Sequence, residues 1–470
     1  MRIAPLLAGS AALFGAFSVA HAQADAPYDP AQIARGEYLA KAADCAACHR
    51  TREDSGKAFV GGYVITSPMG DIVAPNITPS KTAGIGAWSF EDFDRAIRKG
   101  VRPGGAPLYP AMPYTDYQGV SDADMHALYA YFMHGVTPVD TIAPKTHLPF
   151  PFGIRAIMIP WNWVFLSHKP FIATAGLSPQ AQRGQYLVQT LGHCGACHTP
   201  RNLLMAERPS KAFAGADLGG WHAPNITSDP ISGVGGWGDA EIAKYLANGH
   251  VSGKGVAAGG MAEAVDNSLR YMTPADQLAI AAYLKSTTPI RDPHETRAAF
   301  NWTSPKPVPL SAYETGDNHK DQAALKDSST TDGATLYAGA CASCHGLQGQ
   351  GSKDDFYAPL VGSSTTGSAN PSDLVMTILT GVNRTGADGK SFMPAFAEQM
   401  NDDQVAAVAN HVFNHFGRAD TQVTAEQVAV MRKGGAKPLL VTAMPWLLGL
   451  GALAGLGIVA FIVLRMRKRA

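Results

Sequence analysis

Three short stretches of this 470-residue chain share one form, Cys-x-x-Cys-His: CAACH at Cys45–His49, CGACH at Cys194–His198 and CASCH at Cys341–His345. On a helix, residues i, i+3 and i+4 share one face. Two thiols and an imidazole placed in this way can form thioethers with the two vinyl groups of a haem and point a ring nitrogen at its iron, which is the attachment signature of c-type haem. All six cysteines of the chain fall in these motifs. A disulfide framework, the ordinary use of six cysteines in an exported protein, explains neither the repeated spacing nor the histidine after each pair. A zinc site needs further Cys or His ligands at matching spacing, and a redox dithiol needs no histidine. The residues imply three covalently bound haems c, with Cys45, Cys48, Cys194, Cys197, Cys341 and Cys344 forming the thioethers and His49, His198 and His345 as axial ligands.

A c-type haem that only moves electrons usually has both axial positions filled, and Met opposite His raises its potential. The chain has 15 Met, so a selection rule is needed. Met112 and Met261 each lie 63 residues after their motif histidine, whereas Met69 and Met133 map onto Leu218 and Lys285. In the third stretch Met393, in SFMPAF, lies 48 residues after His345, with Met376 and Met400 as competitors. The expected sixth ligands are Met112, Met261 and Met393. Pro75 and Pro224 each lie 26 residues after a motif histidine, and Pro359 lies 14 after His345. The carbonyl of each could accept the outer N–H of the ligand imidazole; a plain turn proline is the alternative.

The elements that position these residues are themselves repeated. Cys45-Cys48-His49 recurs 149 residues later, as do APNIT (Ala74–Thr78 and Ala223–Thr227), Trp88 with Trp237, and Gly100 with Gly249. Upstream, RGEYL at Arg35–Leu39 matches RGQYL at Arg183–Leu187; downstream, SDADMHALYAYF from Ser121 resembles TPADQLAIAAYL from Thr273. A shorter third unit has GATLYAGACASCH (Gly333–His345) and the closing run NDDQVAAVANHVFNHF from Asn401. Each closing run has an acidic first turn and apolar residues at helical spacing. The expected units span residues 23–145, 181–300 and 328–420, joined by Pro-rich or polar connections over 146–180 and 301–327. Trp161, Trp163 and Phe165 in the first connection are expected to pack over the units, with contact to a membrane interface or a partner as the alternatives.

Formal net charge is zero and hydrophobic content is 46%, which argues against disorder and against a nucleic-acid partner. Residues 1–22 have an early Arg, an apolar stretch and Ala20-His21-Ala22, the pattern of a cleaved export signal. Residues 438–464 carry no charge; at about 1.5 Å per residue that helix is long enough to cross a bilayer. Arg465, Arg467, Lys468 and Arg469 follow, placing a short basic tail in the cytoplasm and the body of the chain on the periplasmic face of the cytoplasmic membrane.

With these residues placed, the chain resembles the trihaem cytochrome c subunits of the membrane-bound dehydrogenases of acetic acid bacteria and their relatives. The resemblance covers nearly the whole mature chain and rests on the three motifs together with RGEYL, APNIT, GIGAWSFEDF, GVGGWGDAEI, LYPAMPY, LYAYFMHGV and HCGACHTPRN. It implies a mainly α fold: three tandem class I cytochrome c domains and one C-terminal transmembrane helix. It also implies a subunit that takes electrons from a catalytic dehydrogenase subunit carrying FAD, pyrroloquinoline quinone or molybdopterin and reduces ubiquinone. WHAPNITSDP and the plain apolar C-terminal helix look most like the cytochromes paired with FAD-dependent sugar and sugar-acid dehydrogenases, with the alcohol type next. The chain shows no Gly-rich dinucleotide fingerprint, so substrate oxidation falls to the partner. The alternatives are a cytochrome serving a terminal oxidase and a self-contained haem peroxidase; the second needs an open sixth iron position, against which the three Met candidates speak.

Overall fold

The computed structural model describes residues 28–52, 56–167, 169–302 and 326–467. The expected export signal and nearly all of the connection over 301–327 lie outside the described residues.

The body is mainly helical, and one arrangement occurs three times: a leading helix, a motif turn, and a closing helix that crosses back over the leading one. The leading helices are Pro30–Ala42, Pro179–Tyr186 and Gly333–Ala340, and the closing helices are Asp122–Ala130, Pro274–Leu284 and Asp402–Phe416. Their starts follow from the sequence. Asp29, Ser121, Ser178, Thr273, Asp332 and Asn401 each accept a first-turn backbone N–H through the side chain, which satisfies donors that the helix itself cannot. Pro30, Pro179 and Pro274 occupy first-turn positions where no N–H is needed.

Each crossing is made on a glycine. A Cβ on Gly36 would lie 1.9 Å from the Ala127 carbonyl oxygen, one on Gly184 1.8 Å from that of Ala279, and one on Gly333 2.4 Å from that of Ala407. The helix backbones therefore touch at each crossing. Among the described residues the named strands pair as two-stranded antiparallel hairpins, including Val64–Ser67 with Gly70–Val73, Ala216–Leu218 with Trp221–Ala223, and Val382–Gly386 with Gly389–Met393.

The first two units are not separate beads. Leu39, Phe93 and Leu128 of the first lie in one continuous core with Leu187, Leu191 and Ile280 of the second. Two matching polar clamps close the seam. Arg183 grips Asp276 within the second unit, and Tyr38 of the first donates to the same carboxylate at 2.6 Å. Arg35 grips Asp124 within the first unit, and Tyr186 of the second donates to it at 2.6 Å. The third unit has its own core, with Leu336, Tyr337, Val405 and Phe413, and packs on the second.

The first connection, read from sequence as a linker, contains a helix at Met158–Phe165. Asn162 accepts the buried Tyr114 hydroxyl at 2.8 Å, and Trp161 donates to the Leu204 carbonyl. Trp163, in contrast, is 78% exposed, so the aromatic segment packs by one face only. At the far end Leu439–Arg467 forms a 29-residue helix, long and apolar enough to cross a membrane; its most apolar 18-residue stretch has a mean hydropathy of 2.6, and none of that stretch is buried.

Candidate haem-attachment sites

In each unit the leading helix breaks and re-forms one turn over the motif. In the first, Ala43 caps the helix, Asp44 takes a left-handed φ of 53°, and the turn restarts at Cys45. His193 does the same in the second unit with φ 35°. The motif histidine then donates its backbone N–H to the first cysteine's carbonyl: His49 to Cys45 at 3.0 Å, His198 to Cys194 at 3.0 Å, His345 to Cys341 at 2.9 Å. One helical turn therefore carries both thiols and the imidazole, as the spacing implies.

The imidazoles are aimed by backbone carbonyls. His49 Nδ1 donates to Pro75 O at 2.8 Å, His198 Nδ1 to Pro224 O at 2.7 Å, and His345 Nδ1 to Ala358 O at 2.9 Å. The first two match the sequence reading. The third corrects it: the acceptor is the residue before Pro359, because a carbonyl acceptor needs no particular side chain. With Nδ1 engaged, Nε2 is the nitrogen available to a metal. Burial pushes all three imidazoles below their ordinary pKa, against the opposing effect of these bonds, which favours the neutral ring that ligates iron. Burial likewise pushes the thiols of Cys45, Cys48, Cys194 and Cys341 up to about 12 and that of Cys197 upward. Each site thus offers two thiols and an oriented imidazole on one turn, a donor set that fits a c-type haem.

A further set of residues escaped the sequence reading. Gly61, Gly215 and Gly351 donate their N–H to the backbone carbonyl of His49, His198 and His345 at 3.1, 2.8 and 2.9 Å. All three have positive φ, 76°, 89° and 66°. A Cβ would lie 2.6 Å from Pro75 O at the first, 3.0 Å from Ala223 O at the second and 2.9 Å from Ala358 C at the third. These glycines press the imidazole-orienting strand of backbone against the motif turn. The repeated APNIT stretch holds that strand from its other side. Asn76 donates to Val139 O and Thr141 O while accepting from Thr78, and Asn225 does the same with Ile290 O and Thr227.

The methionine candidates separate by environment. Met112 and Met261 are half-buried against the core that also receives Cys45 and Cys194. Met393 ends the strand Gly389–Met393 and is half-buried. Its competitors Met400 and Met376 are 2% and 7% exposed, inside the third core, where side-chain packing already accounts for them. The first connection serves the Met112 loop: Tyr109 donates to Phe152 O, Arg155 to Pro107 O and Tyr114 to Asn162.

The first two motifs meet at a buried junction. Tyr117 of the first unit donates to Ala43 O at 2.6 Å, and its ring stands edge-on to His193, at 5.6 Å between centroids. Asp116, beside it, is pushed up to about 8 by burial and by the nearby Glu207. On the other side Tyr63 donates to Glu263 of the second unit, and Arg50 lies over the Tyr63 ring at 4.2 Å. The segment following Met112 thus packs on the second motif, and the segment containing Met261 packs on the first.

Comparison with known proteins agrees with this chemistry. A cytochrome c family profile matches residues 33–135, and the profile described as cytochrome c oxidase, cbb3-type, subunit III matches residues 328–412. The chain is 45% identical to the fructose dehydrogenase cytochrome subunit of Gluconobacter japonicus, covering 93% of this chain and 92% of that one. It is 38% identical to the gluconate 2-dehydrogenase cytochrome c subunit of Pantoea cypripedii, over 90% and 94%. It is 36% identical to the cytochrome c subunit of alcohol dehydrogenase (quinone) of Gluconacetobacter polyoxogenes, over 87% and 86%. Cytochrome c domains carry covalently bound haem c. The chain belongs to the family of cytochrome c subunits of membrane-bound, quinone-reducing dehydrogenases.

Proposed function

We propose that this chain is a three-haem electron relay, anchored by residues 438–464 with its haem units on the periplasmic face, that takes electrons from a catalytic dehydrogenase subunit and delivers them to ubiquinone. The observation that carries the reading is the threefold recurrence of one construction: two thiols and an imidazole on one turn, the imidazole aimed by a carbonyl at 2.7–2.9 Å. Cys45, Cys48, Cys194, Cys197, Cys341 and Cys344 would hold the groups, and His49, His198 and His345, with Met112, Met261 and Met393, would ligate iron. Haem c bound in this way supplies reversible one-electron chemistry at iron. The protein's part is to keep both axial positions filled, to exclude water, and to hold the units close. The second unit packs against both others, through the shared core with the first and the hairpin Val382–Met393 of the third, which supports a place for it in the middle of the relay.

The partner is an FAD-dependent sugar or sugar-acid dehydrogenase. The 45% and 38% identities to fructose and gluconate dehydrogenase cytochromes, against 36% for the alcohol type, support this choice. Extraction of the tagged chain from membranes in mild detergent, followed by identification of the co-purifying prosthetic group, tests it. A flavoprotein is expected. A quinoprotein or molybdoprotein would keep the relay and change the substrate class, and a terminal oxidase would overturn the direction of electron flow.

A further inference from the structure

The helix Met158–Phe165 in the first connection turns apolar side chains in two opposite directions. Its inner residues Met158, Trp161, Asn162 and Phe165 are buried or half-buried. Through Asn162 on the Tyr114 hydroxyl, and Arg155 on Pro107 O just before the helix, this side is fixed to the segment 107–114; Trp161 ties it to Leu204 O at 2.9 Å. Ile159 with Trp163, and Pro160 with Val164, are each four residues apart and share the opposite face. All four are exposed, Trp163 and Val164 the most. Ile154 and Ile157, in the turn before the helix, and Leu204 beside it are exposed too.

This is the densest apolar surface of the body. Eight large hydrophobics are exposed between Ile142 and Ile172, against nine in the rest of the described body outside the C-terminal helix. Scattered exposure is normal, whereas apolar side chains gathered on one face mark a contact surface.

The charges around it choose between kinds of partner. Residues 141–206 hold Lys145, Arg155, Lys169, Arg183 and Arg201 and no Asp or Glu. Three of these cations are engaged within the body: Arg155 on Pro107 O, Arg183 on Asp276 and Arg201 on Glu207. Lys145 and Lys169 are exposed, and neither forms an ion pair among the described residues. Protein–protein interfaces are depleted of lysine. At a bilayer surface, in contrast, lysine and tryptophan frame the apolar side chains, the lysine on anionic headgroups and the indole at headgroup depth. The lack of carboxylates removes any repulsion from those headgroups.

We propose that the outer face of Met158–Phe165, with Ile154 and Ile157, rests in the interface of the bilayer that holds the C-terminal helix, and that Lys145 and Lys169 meet anionic phospholipid headgroups there. The inference rests on the reading that residues 438–464 anchor the chain. An eight-residue helix cannot cross a hydrocarbon core, which takes about twenty residues, so it lies in the headgroup plane. Its few apolar side chains would hold a free protein only weakly. On a chain already tethered by a spanning helix the second contact is intramolecular and needs little affinity of its own. Two contacts fix the tilt of the body, which a single flexible anchor leaves free, and they bring Leu204, six residues after His198, to the membrane surface.

The test is photolabelling of the haem-loaded, full-length protein in vesicles of phosphatidylethanolamine and phosphatidylglycerol that contain a phospholipid with a diazirine in its acyl chain. Labelled peptides are mapped by mass spectrometry for the isolated chain and for the chain purified with its catalytic subunit. Label is expected at 154–164 and at 439–467 in both preparations, and not in the helix Asp239–Asn248. Trp163→Ser combined with Val164→Ser should keep the haem content and cut the label at 154–164 about tenfold, since the apolar transfer of these two side chains is worth at least that factor. Label confined to 439–467 would overturn the proposal, and so would a double variant labelled like the unsubstituted chain. Label at 154–164 that disappears in the complex would make the catalytic subunit the occupant and would overturn it as well. An unlabelled 439–467 would instead overturn the anchor reading on which the inference rests.

Discussion

The hydroxyl of Tyr38 donates to the Asp276 carboxylate at 2.6 Å across 238 residues of sequence. Its counterpart, Tyr186 on Asp124, repeats the contact in the opposite direction between the same two units. In each case the tyrosine of one unit completes an Arg–Asp pair belonging to the other, so the duplicated units recognise each other through the residues that they share. Burial would raise the Asp276 pKa, but the bonds from Arg183 and Tyr38 hold it below the ordinary value. The stabilisation from this carboxylate is therefore present above about pH 4 and is lost as pH falls through its lowered folded pKa.

Tyr38→Phe and Tyr186→Phe should each cost about 1–2 kcal/mol, since each removes a hydrogen bond to a charged, partly buried acceptor. Urea unfolding of the haem-loaded protein measures this. A cost below about 0.5 kcal/mol for both would mean that the shared apolar core alone holds the units together.

Alanine at Gly61, Gly215 or Gly351 should loosen the imidazole-orienting carbonyl. The left-handed φ costs about 1–2 kcal/mol for a residue with a Cβ, and the clash adds to it. Gly351→Ala and Gly61→Ala, with nearest contacts of 2.3 and 2.4 Å, should be more damaging than Gly215→Ala, with contacts from 3.0 Å. Haem content and the potential of the affected site report the outcome. Equal, negligible effects at all three would show that the turn tolerates a Cβ.

Replacement of Met112, Met261 or Met393 by His should keep six-coordinate iron and lower one potential each time, because Met opposite His is the ligand pair that raises it. Met376→Leu and Met400→Leu should leave every potential in place and cost less than about 1.5 kcal/mol of stability, as volume-conserving core changes do. A potential that moves with Met400 and not with Met393 would transfer the third axial assignment.

The seam between the second and third units should loosen as pH rises. Burial pushes Asp373 up to about 6, against the bond it accepts from the His222 backbone N–H. A carboxyl with a raised folded pKa contributes fully below its unfolded value of about 3.8, and that contribution is lost as pH rises through about 6. After allowance for solvent screening the loss is about 1–2 kcal/mol between pH 4 and 7. Asp373→Asn should flatten this dependence in thermal melts; an unchanged slope would place its origin elsewhere.

The attachment turns were legible in the sequence because covalent chemistry dictates the spacing of Cys45, Cys48 and His49 and of their two counterparts. Met112 and Met261 stood out because a duplication could be aligned against itself, and Met393 by its place just before the closing run of the third unit. What could not be read has physical reasons. The acceptor for His345 is a backbone carbonyl, which any residue can supply, so Ala358 left no mark beside Pro359. Gly61 and Gly215 are offset by 154 residues rather than 149, because the hairpins between them and the orienting carbonyls differ in length. The joining of the first two units depends on contacts between segments far apart in sequence, 62 residues for Tyr186 on Asp124 and 238 for Tyr38 on Asp276, which local pattern does not encode.

In the proposed relay one chain carries three six-coordinate haems c in series. The most direct test is to purify the full-length protein from membranes, count haem by alkaline pyridine haemochrome against protein mass, and record the spin state of the resting ferric form. Three haems per chain are expected, all low-spin, each lost singly on replacement of His49, His198 or His345. Two haems, or a high-spin signal from an iron with an open sixth position, would contradict it.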